Sequence, residues 1–140
     1  MTRRSLIRYE IMGSVRKQYF FRPRGDAYDA WDIERLIEQA AELPVKKVSL
    51  TEISEIDSVY WFGADGSPAT VRIMVRHMQL VEAVDLSYPV ILGAQGQVMD
   101  GMHRIAKCLF LGQQWVHAVQ FEEQPSPHYT NVQPDELPYD

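Results

Sequence analysis

The sequence predicts an α+β fold: a small mixed sheet with helices packed around it, preceded by a hairpin-and-helix extension. Three observations lead there. Short apolar runs bounded by glycine and proline alternate with stretches of helical periodicity. The chain has 140 residues, 46% hydrophobic and 24% charged, which suits one packed core and is too apolar for a disordered chain. No internal repeat or low-complexity tract interrupts it, so the elements must pack on one another.

Leu6, Tyr9 and Ile11, then Val15, Tyr19 and Phe21, flank Met12-Gly13-Ser14 and predict two short strands around a turn. Arg22-Pro23-Arg24-Gly25 predicts a loop. Asp26 to about Leu43 predicts a helix. Asp26, Asp29, Asp32 and Glu34 sit early, where the helix dipole favours acids, and Ala30, Ile33, Ile37, Ala40 and Ala41 form a stripe that Pro44 ends. Val45 to Ile53 predicts a strand with Val48 and Leu50 on one face. Ser54 to Gly66 is a polar loop carrying Tyr60-Trp61-Phe62. These aromatics offer either a core plug or a stacking surface for a base.

Ser67-Pro68 then predicts a helix start, a capping hydroxyl before a proline at the first helical position. Val71, Met74, Val75, Met78 and Val81 follow at helical spacing. Tyr88 to Leu92 predicts a strand, and Gly93-Ala94-Gln95-Gly96 turns it into Gln97-Val98-Met99. Asp100-Gly101 breaks that strand. Met102 to Leu111 predicts a helix stopped by Gly112, and Trp115 to Phe121 a closing strand. The composition divides the chain into an extension over 1–45, a main domain over 46–121 and an acidic, proline-rich tail over 122–140. The extension is either a homodimer arm or one wall of a cleft. The tail, with Pro125, Pro127, Pro134 and Pro138 and no Lys or Arg, is expected to run extended along the surface through Tyr129, Val132, Leu137 and Tyr139.

Charges cut every apolar stretch well short of the roughly 18 residues a membrane helix needs, and the basic N-terminus lacks the apolar core of a secretion signal. A cytoplasmic protein without membrane contact is expected. Cys108 is the single cysteine, which rules out an intramolecular disulfide and a multi-thiolate zinc site; a small buried hydrophobe is its expected role. The net charge of -5 and pI of about 5.3 argue against a general nucleic-acid binder. The first 25 positions nevertheless hold Arg3, Arg4, Arg8, Arg16, Lys17, Arg22 and Arg24. They form either a solvated arm or a patch for an acidic partner or a ligand's phosphates.

The chemistry concentrates in Asp100-Gly101-Met102-His103-Arg104. A strand, a tight glycine turn and a helix start leave backbone N–H groups free at the positive end of the helix dipole. Gly101 permits the sharp turn and a close anion approach. Arg104 offers a planar fork for phosphate oxygens. Cations at a helix start oppose the dipole, so His103 and Arg104 there point to an anion that offsets the cost. Asp100 is placed to ligate Mg²⁺, accept a proton or cap the helix.

From about Val48 to Phe121 the order of pieces resembles the ParB/sulfiredoxin superfamily: the strand around Val48-Ser49-Leu50-Thr51-Glu52-Ile53, a loop, the helix from Ser67, Pro89-Val90-Ile91-Leu92, a glycine hairpin, Asp100 to Arg104, a helix ending in Leu111-Gly112 and a closing strand. Sulfiredoxins carry Gly-Cys-His-Arg; Met102 stands at the cysteine position and offers no thiolate. Chromosome-partitioning ParB proteins carry Gly-Glu-Arg-Arg and bind CTP, with a helix-turn-helix region that nothing after Phe121 supplies here. Free-serine kinases of the superfamily carry Asp-Gly-His-His-Arg, from which this sequence departs at Met102 alone.

The resemblance implies a nucleotide-phosphate-binding domain. Gly101, Met102, His103 and Arg104 would hold the phosphates of ATP, ADP or CTP, and Asp100 would touch Mg²⁺ or the hydroxyl of a small-molecule acceptor. Asp100, His103 and a general base in the first loop would serve phosphoryl transfer or nucleotide hydrolysis. Among Glu52, Glu55 and Asp57, Glu55 is the preferred base. The alternatives are a non-catalytic nucleotide-sensing or interaction module, or a ParB-like DNA-associated protein or nuclease. Arg72 and Arg76 share a helix face and would add cationic contacts. His77 is expected to be structural, His117 a core or edge residue, and His128 part of the tail.

Overall fold

The computed structural model describes residues 17–62 and 68–139. The chain is α+β, with two small sheets and three helices among the described residues. The expected strand around Leu6 to Ile11 and the proposed Ser67 cap lie outside the described residues.

The N-terminal region departs most from the sequence reading. Strand β1, Tyr19–Arg24, runs through the segment read as a loop. It pairs antiparallel with β2, Ala27–Asp32, in a hairpin closed by Gly25 and Asp26. Gly25 has φ +59°, which suits glycine at such a turn. Pro23 is tolerated because β1 is an edge strand, where a missing donor costs no ladder bond. The helix expected from Asp26 begins only at Ile33. Asp32 caps α1, Ile33–Gln39, by accepting from the N–H of Glu34 at 2.9 Å and Arg35 at 3.5 Å. Asp29, read as an early helical acid, instead lies buried in β2. Arg22 at 2.6 Å and Arg24 at 3.3 Å neutralise it, and the Arg22 hydrogen bond holds its carboxyl below the usual range. Lys17 pairs with Asp32 at 2.9 Å and Glu34 at 3.3 Å. The described part of the basic N-terminal run thus spends its charge on internal acids.

The second sheet has four strands in the order β3, β6, β4, β5. These are Lys46–Ser49, Trp115–Gln120, Val90–Leu92 and Val98–Asp100. β3 and β6 are antiparallel, β6 and β4 parallel, and β4 and β5 antiparallel. The first strand is shorter than its apolar run, because Leu50–Glu52 turns into a 3₁₀ segment capped by Ser49. Helix α2 spans Val71–Ala83 with Thr70 as its cap, three residues after the expected start. Its stripe does not face the core: Val71 is 80% exposed and Met78 66%. Helix α3, Met102–Phe110, ends at Gly112, whose φ is +75°.

The tail is not a loose extension. Tyr129–Val132 forms β7 and completes the first sheet against β2. Trp31 Nε1 donates to the Pro125 carbonyl at 2.8 Å, and the Asp32 N–H donates to His128 Nδ1 at 2.8 Å. Leu137 is buried. Trp31, Ile33 and Leu36 share one core cluster with Ile91, Met99 and Val119, so extension and main domain share a core. A second cluster joins Val48, Val90, Ile105 and Cys108. Cys108 is buried, and burial pushes its thiol up, as expected of a packing residue.

Candidate functional site

β5 ends at Asp100 and α3 begins at Met102, so one residue must reverse the chain. That residue is Gly101, with φ +112°. A Cβ there would lie 2.6 Å from Val90 Cγ1 and 2.9 Å from Val90 Cβ. The open side of the glycine, expected to admit an anion, is therefore filled by the protein's own Val90. Glycine is required by its backbone angle and by β4, not by ligand approach. No side chain caps α3. Its first backbone bonds run from the N–H of Arg104 and Ile105 to the Gly101 carbonyl at 3.0 and 3.1 Å. The amides of Met102 and His103 precede them in the first turn, where intrahelical partners are missing.

This helix start lines a cavity of about 660 Å³ between β1 and α3. Lys17, Tyr19 and Phe21 stand on one side, and Trp61, Gly101, His103 and Arg104 on the other. The extension is thus one wall of the cleft.

Arg104 is only 1% exposed. Its Nη2 donates to Asp100 Oδ2 at 3.1 Å, while Nε and Nη1 are buried without a hydrogen-bond partner. A buried donor left unpaired costs about 1–3 kcal/mol, more for a charged group, so these two atoms mark a place where a partner belongs. Burial pushes the Asp100 carboxyl up, and the Arg104 guanidinium opposes that shift. Asp100 does not cap the helix and instead pairs with Arg104. Among the described residues no group of three or more His, Cys, Asp or Glu side chains gathers to hold a metal.

His103 is not the surface cation the sequence suggests. Its Nε2 lies 2.9 Å from His77 Nδ1. Both imidazoles stack on the Trp61 indole, His77 at 4.5 Å and His103 at 4.6 Å between centroids. Burial first, then His77 and Arg104, lower its pKa to about 4. It is neutral at neutral pH. His77 is also lowered, by burial and by Arg76.

Glu55 donates nothing to the cavity. Its Oε2 accepts from the Val98 N–H at 2.6 Å and holds the start of β5. Glu52 and Asp57 are exposed away from the cavity lining. Arg72 and Arg76 lie on the outer face of α2 beside Val71 and Val75, not at the cavity. Met102 is buried in the core cluster. Trp61 packs against that cluster beneath the histidines, so it acts mainly as a plug, whereas Tyr60 lines the cavity and is 42% exposed. Its phenol is pushed up to about 12 by local burial and the carboxylates of Asp100 and Glu55. His117 is exposed on β6. The His77–His103 pair is not legible in a local window, because its members sit on different helices, 26 residues apart.

No helix among the described residues is long and apolar enough to cross a membrane. Compared with models of known families, with curated proteins and with solved structures, the chain matches none.

Proposed function

We propose that this chain is a phosphate-recognising, nucleotide-binding domain of the ParB/sulfiredoxin type, acting as a sensing or interaction module. The observation that carries the reading is Arg104, buried to 1% exposure with two unpartnered donors, in the wall of the cavity that the uncapped start of α3 also lines. A phosphate needs several convergent N–H donors. The Met102 and His103 amides and the neutral His103 ring are of that kind, and Arg104 lines the same cavity. The aromatic side chains of Tyr19, Phe21 and Tyr60 in the same cavity suit the base and sugar of ATP, ADP or CTP.

The placement of the acids favours recognition over phosphoryl transfer. Glu55 lies outside the cavity lining with Oε2 tied to Val98, and Asp100 turns Oδ2 toward Arg104.

The test is a ¹⁵N titration with ADP, ATP, CTP and pyrophosphate. Amide signals of residues 101–104 should move, and His103→Ala should weaken every response. Unmoved signals at these residues at millimolar ligand would sink the reading.

A further inference from the structure

The two histidines carry an inference that rests on the anion-site reading. Their rings are nearly coplanar, 14° apart, with centroids separated by 5.1 Å. That separation is what an in-plane N–H···N bond between two imidazoles gives, and the nitrogens are 2.9 Å apart. Trp61 lies flat against both, at 27° to His77 and 19° to His103, and Phe62 meets His77 edge-on at 78°. The rings are thus clamped in one plane, and only the proton arrangement is left to vary.

A neutral pair holds two N–H protons in one of two ways. In the first, His77 Nδ1–H donates to His103 Nε2, and His103 carries its own proton on Nδ1. In the second, His103 Nε2–H donates to His77 Nδ1, His103 Nδ1 is a bare lone pair, and His77 carries its outer proton on Nε2. With Nε2 occupied by His77, Nδ1 is the one nitrogen His103 has left for the cavity it lines. A lone pair there repels an anion, whereas an N–H attracts it.

We propose that His77 is a positioning residue for the anion site: by donating from Nδ1 to His103 Nε2 it supports the Nδ1–H tautomer of His103, so that an uncharged imidazole donates to the bound phosphate oxygen. An anion that enters while the pair is in the second arrangement selects the first. One proton crosses from His103 Nε2 to His77 Nδ1, water supplies one to His103 Nδ1, and His77 Nε2 returns one to water. The pair neither gains nor loses a proton. Occupancy of the cavity therefore turns His77 Nε2, on α2, from donor into acceptor.

The experiment uses the full chain with pyrophosphate as probe. Nitrogen shifts of ¹⁵N-labelled histidine should assign His103 as Nδ1–H in the complex. His77→Phe keeps a flat ring near Trp61 but removes the donor, and pyrophosphate affinity should fall about 3- to 10-fold, the worth of one hydrogen bond. His77→Asn places an amide nitrogen where Nδ1 stood and should restore affinity to near wild type. Matched thermal midpoints would show that both variants are folded. A bound His103 protonated on Nε2, or His77→Phe binding as wild type, would overturn the inference and leave the anion site standing. Failure of wild type to bind pyrophosphate would overturn both.

Discussion

Replacing Gly101 by alanine tests whether the turn is closed by packing. The new Cβ meets Val90 Cγ1 at 2.6 Å and Val90 Cβ at 2.9 Å, both inside any real contact distance. Val90 is fully buried in β4 between β5 and β6, so it cannot swing aside. Forcing an L-residue to positive φ costs roughly 1–2 kcal/mol, and overpacking a tight site costs about 1–3 kcal/mol more. Gly101→Ala should therefore lose about 2–5 kcal/mol, or on the order of 8–20 °C in midpoint for a domain of this size. Gly112→Ala is the control. Its φ is +75°, but nothing lies within 4 Å of the added Cβ, so only the backbone cost of about 1–2 kcal/mol applies. Val90→Ala should couple favourably with Gly101→Ala by about 1 kcal/mol, because it removes the nearer atom. Thermal and urea denaturation of the four variants would measure this. If Gly101→Ala were no worse than Gly112→Ala, the packing argument would be wrong.

Two further predictions concern buried charge and protons. Asp100→Ala strands the Arg104 guanidinium and should cost about 3–5 kcal/mol, whereas the joint change Asp100→Leu with Arg104→Met should recover most of it; urea midpoints decide, and a harmless Asp100→Ala would refute the buried pair. Acid should destabilise the fold through His103. Its folded pKa of about 4 lies below the ordinary 6.5, so the unfolded chain takes the proton first, and stability present above pH 6.5 is lost as pH falls toward 4, by about 3 kcal/mol in all. His77 and His128 are lowered and act in the same direction, while Asp100 is raised and acts oppositely. His103→Asn should flatten this stretch of the stability–pH curve, and an unchanged curve would refute the assignment.

The elements that read correctly are those with local punctuation. Gly112 stops α3, Asp100-Gly101 breaks β5 from α3, and the turn at Gly93 to Gly96 separates β4 from β5. The stretch from Asp26 to Asp32 misled because its acids and alanines suit a helix start. Its strand state comes from β1 on one edge and from β7, about a hundred residues later, on the other. No local window contains that second partner. The α2 stripe shows a different limit. Its periodicity correctly marks a helix, but periodicity does not say which face the rest of the chain covers, and here Val71, Met74, Val75 and Met78 face outward.

The candidate stretch was legible as a strand–turn–helix junction, and its charge was misread. Asp100 to Arg104 does line a cavity, yet the two cations the sequence offers are spent before any ligand arrives. Arg104 is paired to Asp100 four residues back, and His103 is kept neutral by a histidine 26 residues away. That leaves neutral N–H groups, a dipole end and an arginine whose charge is already balanced. On the proposed reading such a site would bind by directed hydrogen bonds more than by net attraction, and it should be nearly blind to salt. Pyrophosphate affinity should change less than about 3-fold between roughly 50 and 200 mM salt, because buried, balanced groups are screened far less than exposed cations. Calorimetry at the two salt concentrations checks this. A drop of about tenfold or more would mean that unpaired cations face the ligand, and that the Asp100–Arg104 pair opens when it binds.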